Sequence, residues 1–168
     1  KNGEEPFKPI FGCEMYVARR RKENKVKDMH DNSGYHLIVL AKNYQGYKNL
    51  IKLVSRSWVD GFYYRPRTDR VDLEKYHEGL IVCSACLAGE IPRNILKGDM
   101  NAARETVEWY KKVFGDDFYL ELQRHEVKDP TLVANREAYP LQQKANKLLM
   151  QFAKEYGIKL VCTNDCHF

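Results

Sequence analysis

Tyr35-His36-Leu37-Ile38-Val39-Leu40-Ala41 is a continuous apolar run of strand length, the pattern of a strand buried on both faces. It leads through Lys42 to Asn43, a residue type that caps helices. Beyond Asn43, residues Tyr47, Leu50, Ile51, Val54 and Trp58 recur at spacings of three and four, which predicts one apolar helix face, and Gly61 ends it. A buried strand feeding an amphipathic helix is the repeating unit of α/β proteins.

The same alternation extends both ways. Lys8 to Ala18 reads as a first strand. Thr68 or Asp69 caps a short helix through Tyr76, and Gly79-Leu80-Ile81-Val82-Cys83-Ser84 reads as the next buried strand, followed by a loop with Gly89 and Pro92. Asp99 caps a helix with Ala103, Val107, Tyr110 and Phe114 on one side, stopped by Gly115 in the left-handed conformation. Phe118 to Gln123 is another strand. A long helix from about Val133 to Tyr156, bent near Pro140, carries Leu141, Ala145, Leu148 and Phe152 and ends at Gly157; Ile158 to Thr163 is the last strand. Short connections between strands and helices predict right-handed crossovers and a mainly parallel sheet, open or closed into a barrel.

With 168 residues and 43% hydrophobic content, the chain has material for one real core. No apolar run reaches the roughly 18 residues of a membrane span, and Lys1-Asn2-Gly3-Glu4-Glu5-Pro6 lacks the apolar segment of a secretory signal, so a cytoplasmic location without membrane contact is the default. Five cysteines are an odd number; Cys13, Cys83 and Cys162 read as small buried hydrophobes, and reduced thiols are expected. The net charge of +5 falls short of a dedicated nucleic-acid binder. Its cations cluster, however, in Arg19-Arg20-Arg21-Lys22 and in Tyr63-Tyr64-Arg65-Pro66-Arg67, so Arg19, Arg20, Arg21, Arg65 and Arg67 are candidate DNA contacts, with solvated loops as the plain alternative.

Ligands in α/β folds gather at the carboxyl ends of the strands. There the last strand runs into Asp165-Cys166-His167, a carboxylate and an imidazole two residues apart that can share one hard or borderline cation; a simple hydrogen bond between them is the plain alternative. Cys86 follows the strand ending at Ser84, and Glu14 sits in the first strand. His125 lies at another strand end, as a further candidate or a loop histidine, whereas His30 and His77 lie in polar stretches and are expected on the surface.

Phe7-Lys8-Pro9-Ile10-Phe11-Gly12-Cys13-Glu14-Met15-Tyr16-Val17, the Tyr35 to Asn43 segment, Gly46-Tyr47-Lys48-Asn49-Leu50, Ser84-Ala85-Cys86-Leu87-Ala88-Gly89-Glu90-Ile91-Pro92 and Thr163-Asn164-Asp165-Cys166-His167-Phe168 together resemble the polymerase and histidinol phosphatase (PHP) domain, in the branch linked to bacterial DNA polymerase III alpha subunits. The resemblance covers nearly the whole chain in order. It implies a distorted barrel of seven strand-helix units with metal ions at its carboxyl-terminal mouth. Residue by residue, it implies Glu14, His36, Cys86, Asp165 and His167 as metal ligands, for zinc, manganese or iron. His36 opens a strand instead of ending one, so its role rests on the resemblance alone.

The family's opening His-x-His stretch and its companions do not occur in these 168 residues. The resemblance therefore implies a fragment of a single PHP domain, residues 1–168, without the first two strand-helix units and the C-terminal completion, and with little or no nuclease activity by itself. For the intact protein it implies a DNA-directed DNA polymerase acting in replication, whose PHP site is a phosphoesterase of the 3′–5′ exonuclease type. The alternative is a non-catalytic platform joining the rest of the polymerase chain to a proofreading exonuclease subunit. A histidinol-phosphatase-type monoesterase is the weaker third reading, since Gly46 to Ser55 and the Tyr64-Arg65-Pro66-Arg67 loop look like the polymerase branch.

Overall fold

The computed structural model describes residues 7–167; Lys1 to Pro6, on which the signal-peptide reading rests, and Phe168 of the closing motif lie outside the described residues. The strands are β1 (Gly12–Ala18), β2 (Gly34–Ala41), β3 (Arg67–Thr68), β4 (Leu80–Cys83), β5 (Phe118–Gln123) and β6 (Lys159–Thr163). The helices are α1 (Tyr44–Val59), α2 (Arg70–Lys75), α3 (Glu90–Lys97), α4 (Met100–Phe114) and α5 (Tyr139–Tyr156). One mostly parallel sheet runs β3-β1-β2-β4-β5-β6 and, among the described residues, does not close into a barrel. Among the described residues no helix is long and apolar enough to cross a membrane.

Strand β2 runs against the rest: it pairs antiparallel with both β1 and β4, whereas β1–β3, β4–β5 and β5–β6 are parallel. No α-helix separates β1 from β2, and residues 19–33 return as a loop with one 3₁₀ turn (Lys27–Met29). That loop is held from inside. Arg67, 0% exposed, donates from Nε to Gly61 O (3.0 Å), from one terminal nitrogen to Asn24 O (3.1 Å) and Asp31 O (2.7 Å), and from the other to Lys22 O (2.6 Å). Buried Lys22 pairs with Asp72, which Arg56 of α1 also reaches at 3.0 Å. Each buried charge thus has a partner, the condition for keeping it out of water.

Side chains alternate across the sheet. Met15, Val17, Leu37, Val39, Val82, Phe118 and Leu120 pack under the helices against Leu50, Leu53, Ile91, Ile95, Val107, Tyr110, Leu149 and Phe152. The registers place Glu14, Tyr16, His36, Ile38, Cys83, Glu121 and Thr163 on the other face.

Several sequence expectations shift for identifiable reasons. Asn43 caps α1 as expected, accepting from Gly46 N at 2.9 Å, but α1 buries Gly46, Asn49, Leu50, Leu53 and Ser57, and Trp58 is 58% exposed. Gly46 packs its backbone against Gly79, where any Cβ would collide with the Gly79 carbonyl; this close approach turns the small residues inward. Pro92 does not mark a loop: it occupies the first turn of α3, where no N–H is needed. Pro140 likewise sits in the first turn of α5, and helical residues run without a break from 133 to 156 as expected, with a π-helical stretch (Ala134–Ala138) directly before the proline. In α5, Gln142 and Leu149 are buried while Leu141 faces solvent. Gly115 has φ 57° with ψ −124°, outside the left-handed helical region. Strand β6 is an edge strand with exposed residues, so Cys162 is exposed rather than buried.

Candidate metal centre

The reversal of β2 brings His36 to the site. Antiparallel pairing sets Tyr16 opposite His36, so the start of β2 lies beside the carboxyl end of β1. His36 N donates to Ala88 O (3.1 Å), which ties the start of β2 to the loop carrying Cys86. Glu14 Oε1 contacts His36 Nδ1, and Cys86 Sγ lies 3.6 Å from the same nitrogen. The other Glu14 oxygen is 3.4 Å from His167 Nε2, while His167 Nδ1 lies 2.7 Å from the Asp165 carbonyl oxygen and 4.0 Å from Asp165 Oδ1. Glu14–His36–Cys86 and Glu14–Asp165–His167 are each triplets with ligand atoms within 4.8 Å of one another, and Glu14 belongs to both. All five sequence candidates converge.

Two carboxylates, two imidazoles and one thiol fit a borderline cation such as zinc, manganese or iron, and the thiol favours zinc. Burial pushes the Cys86 thiol up, and the Asp165 and Glu14 carboxylates push in the same direction. The His167 imidazole is raised by the backbone carbonyl of Asp165 and then by the Asp165 and Glu14 carboxylates. In both groups the Asp165 and Glu14 carboxylates add to a larger local cause, burial for Cys86 and the Asp165 carbonyl for His167.

Two residues of supporting architecture escape a reading by motif. Glu121, buried on the site face, accepts from Ala85 N through one oxygen (2.6 Å) and from Thr163 Oγ1 through the other (2.6 Å), while its own N–H donates to Ser84 Oγ (2.8 Å). One carboxylate thus joins the segment before Cys86 to the segment before Asp165. Ala85 and Asp165 both have positive φ (63° and 52°), costly for non-glycine residues. The available sequence signal is a glutamate inside an otherwise strand-forming Phe118 to Gln123 run. His125 is placed outside both triplets and acts as a strut: its N–H donates to Gln142 Oε1 (2.8 Å), Nδ1 faces Gln142 Nε2 (2.9 Å), and Nε2 faces Asn164 O (3.1 Å). The backbone just before Asp165 is thereby fixed to α5. His30 and His77 are on the surface, as expected.

The five arginines separate. Arg67 is interior, with its donors taken by carbonyls, and no phosphate reaches it in this conformation. Arg20 pairs with Asp31, and Arg21 with Asp69 (2.9 Å) and Glu23 (3.3 Å), which neutralises both. Arg19 bonds Ser33 Oγ (2.9 Å) and lies over the Tyr35 ring. Arg65 remains exposed at the rim, over Tyr16.

The chain is 50% identical over 162 residues to a DNA polymerase III subunit alpha of Borreliella burgdorferi, covering 96% of this chain and 13% of that protein. It is 39% identical over 162 residues to the Thermus aquaticus subunit (96% and 12%) and 40% identical over 169 residues to that of Aquifex aeolicus (98% and 14%). The chain therefore spans a small part of the length of the curated relatives it matches. The profile of the PHP domain matches residues 1–125, the stretch that holds Glu14, His36 and Cys86, and the chain belongs to the PHP domain family.

Proposed function

We propose that the chain is part of the PHP domain of a bacterial replicative DNA polymerase alpha subunit, and that its site is a metal-dependent phosphoesterase acting as a 3′–5′ exonuclease in the whole protein. The observation that carries this reading is the convergence of Glu14, His36, Cys86, Asp165 and His167 around one shared carboxylate. These residues would hold the divalent ions. Bound there, such ions supply a water of lowered pKa and stabilise charge on a phosphoryl oxygen. The protein's own contribution is placement: Glu121 and His125 lock the two ligand-bearing segments, and the open sheet face lets a strand end approach. The rest of the polymerase chain, DNA and a proofreading subunit are the partners of this reading.

A second reading, a platform for other parts of the polymerase, is favoured by one feature. Phe11, Cys13, Tyr47, Leu50, Ile51 and Val54 line an open apolar groove of about 350 Å³ between β1 and α1, the kind of surface that proteins cover with a partner. Metal content and trimming of a 3′-labelled oligonucleotide by the whole polymerase chain separate the two. The phosphoesterase reading expects bound metal and trimming, both lowered by Glu14→Gln. Full polymerase function with no metal and no trimming leaves only the platform.

A further inference from the structure

The Tyr63-Tyr64-Arg65-Pro66-Arg67 stretch divides into a root and a tip. Arg67 is the root, its guanidinium fixed inside the protein by the carbonyls of Gly61, Asn24, Asp31 and Lys22. The tip is a tight turn closed by Tyr63 N to Arg65 O (3.1 Å), with Tyr64 at φ 60° and 61% exposed. The Tyr64 ring meets Tyr63 edge-on at 4.9 Å and is largely turned to water, and a tyrosine held at positive φ carries the kind of strain that concentrates at binding sites. Arg65 donates to Tyr16 Oη (2.9 Å) and lies 5.0 Å above the Tyr16 ring, and that ring meets His36 edge-on at 5.1 Å. Tyr16 and His36 share the face that holds Glu14. Arg65 therefore stands one aromatic ring's width from the ligand cluster, on the open side, with no carboxylate in ion-pair contact among the described residues.

We propose that this turn is a subsite for a single-stranded polynucleotide: Arg65 takes the phosphate next to the one presented to the metal ligands, and Tyr64 stacks on a base of the same strand. Arg65 reaches the Tyr16 ring at 5.0 Å and that ring meets His36 at 5.1 Å, which puts the guanidinium beside the cluster and not in it, the placement that suits a neighbouring phosphate of a chain over a mononucleotide. An exposed aromatic ring beside an arginine that no carboxylate neutralises among the described residues is the combination that binds single strands without sequence preference. This inference rests on the phosphoesterase reading for its polarity, and its test is independent of turnover.

The whole polymerase chain, carrying Asp165→Asn or kept in chelator so that no trimming occurs, is irradiated with an oligonucleotide bearing 4-thiothymidine next to its 3′ end. The expected result is an adduct on Tyr64, with a yield that falls about tenfold in Arg65→Ala, as for loss of one charge-assisted contact, and is largely kept in Arg65→Lys. Adducts that avoid residues 61–67, or a yield unchanged by Arg65→Ala, overturn the subsite even if the wild-type chain trims normally. Adducts on Tyr64 in a chain that never trims support the subsite and sink the phosphoesterase reading alone.

Discussion

Replacing Glu121 tests whether one buried carboxylate assembles the two halves of the candidate metal centre. Glu121→Leu keeps the volume roughly constant and removes both acceptors, leaving the Ala85 N–H and the Thr163 hydroxyl without the partners they now reach at 2.6 Å. A buried donor left unpaired costs about 1–3 kcal/mol, so the loss is about 2–6 kcal/mol for the pair. Glu121→Gln retains an oxygen for Ala85 N–H and turns its amide toward the Thr163 oxygen, which limits the loss to about 1 kcal/mol. Urea unfolding of both variants at unchanged m measures this difference. Because Ala85 adjoins Cys86 and Thr163 lies two residues before Asp165, calorimetric zinc titration should show affinity weakened about 10- to 100-fold in Glu121→Leu, the range for residues that orient metal ligands, and close to wild type in Glu121→Gln. A Leu variant within about 0.5 kcal/mol of wild type, binding zinc equally well, would refute the reasoning.

Four other outcomes follow from the same contacts. Zinc affinity should rise with pH, since Cys86 and His167 both hold their protons above their ordinary values and must release them to bind; affinity that is flat or falling from pH 6 to 8 removes them as ligands. Asp31 is lowered by its hydrogen bond from Arg20, and Asp69 is lowered because hydrogen bonds from Asp72 N–H, Arg21 and Lys22 N–H outweigh its burial. Their stabilisation is therefore present above the unfolded value of about 3.9 and lost as pH falls through the lower folded value, so urea midpoints should drop below about pH 4, and Asp31→Asn should flatten that drop. Gly46→Ala drives a methyl into the Gly79 carbonyl and should cost more than about 2 kcal/mol by thermal or urea unfolding. A thiol reagent followed by mass spectrometry should label exposed Cys162 and Cys166 first and Cys83 last, since burial pushes the Cys83 thiol up to about 12.

Element type and order were legible because they depend on local pattern: Asn43, Asp69 and Asp99 do cap the helices they precede, and the apolar runs do become strands. Which face of a helix is buried was less legible. The stripe from Tyr47 to Trp58 has helical spacing, yet a glycine-to-glycine approach at Gly46 and Gly79 decided the rotation of α1, and such a contact between distant residues leaves no periodic trace. Among the cations, Arg67 could not be told from Arg65 by composition, since only the folded chain shows which guanidinium meets carbonyls and which meets water.

The sequence by itself determined the candidate ligand types and most of their local settings, with Asp165 and His167 after a strand and Cys86 after another, because donor chemistry and strand ends are properties of short segments. Tertiary structure alone decided that these segments share a site. Strand β2 had to run antiparallel for His36, at its start, to meet the carboxyl ends of its neighbours, and Glu121 had to be buried between two loops for Cys86 and Asp165 to face a common Glu14. Strand direction and the pairing of distant loops are set by which packing satisfies the most buried groups at once, and that sum is taken over the whole chain.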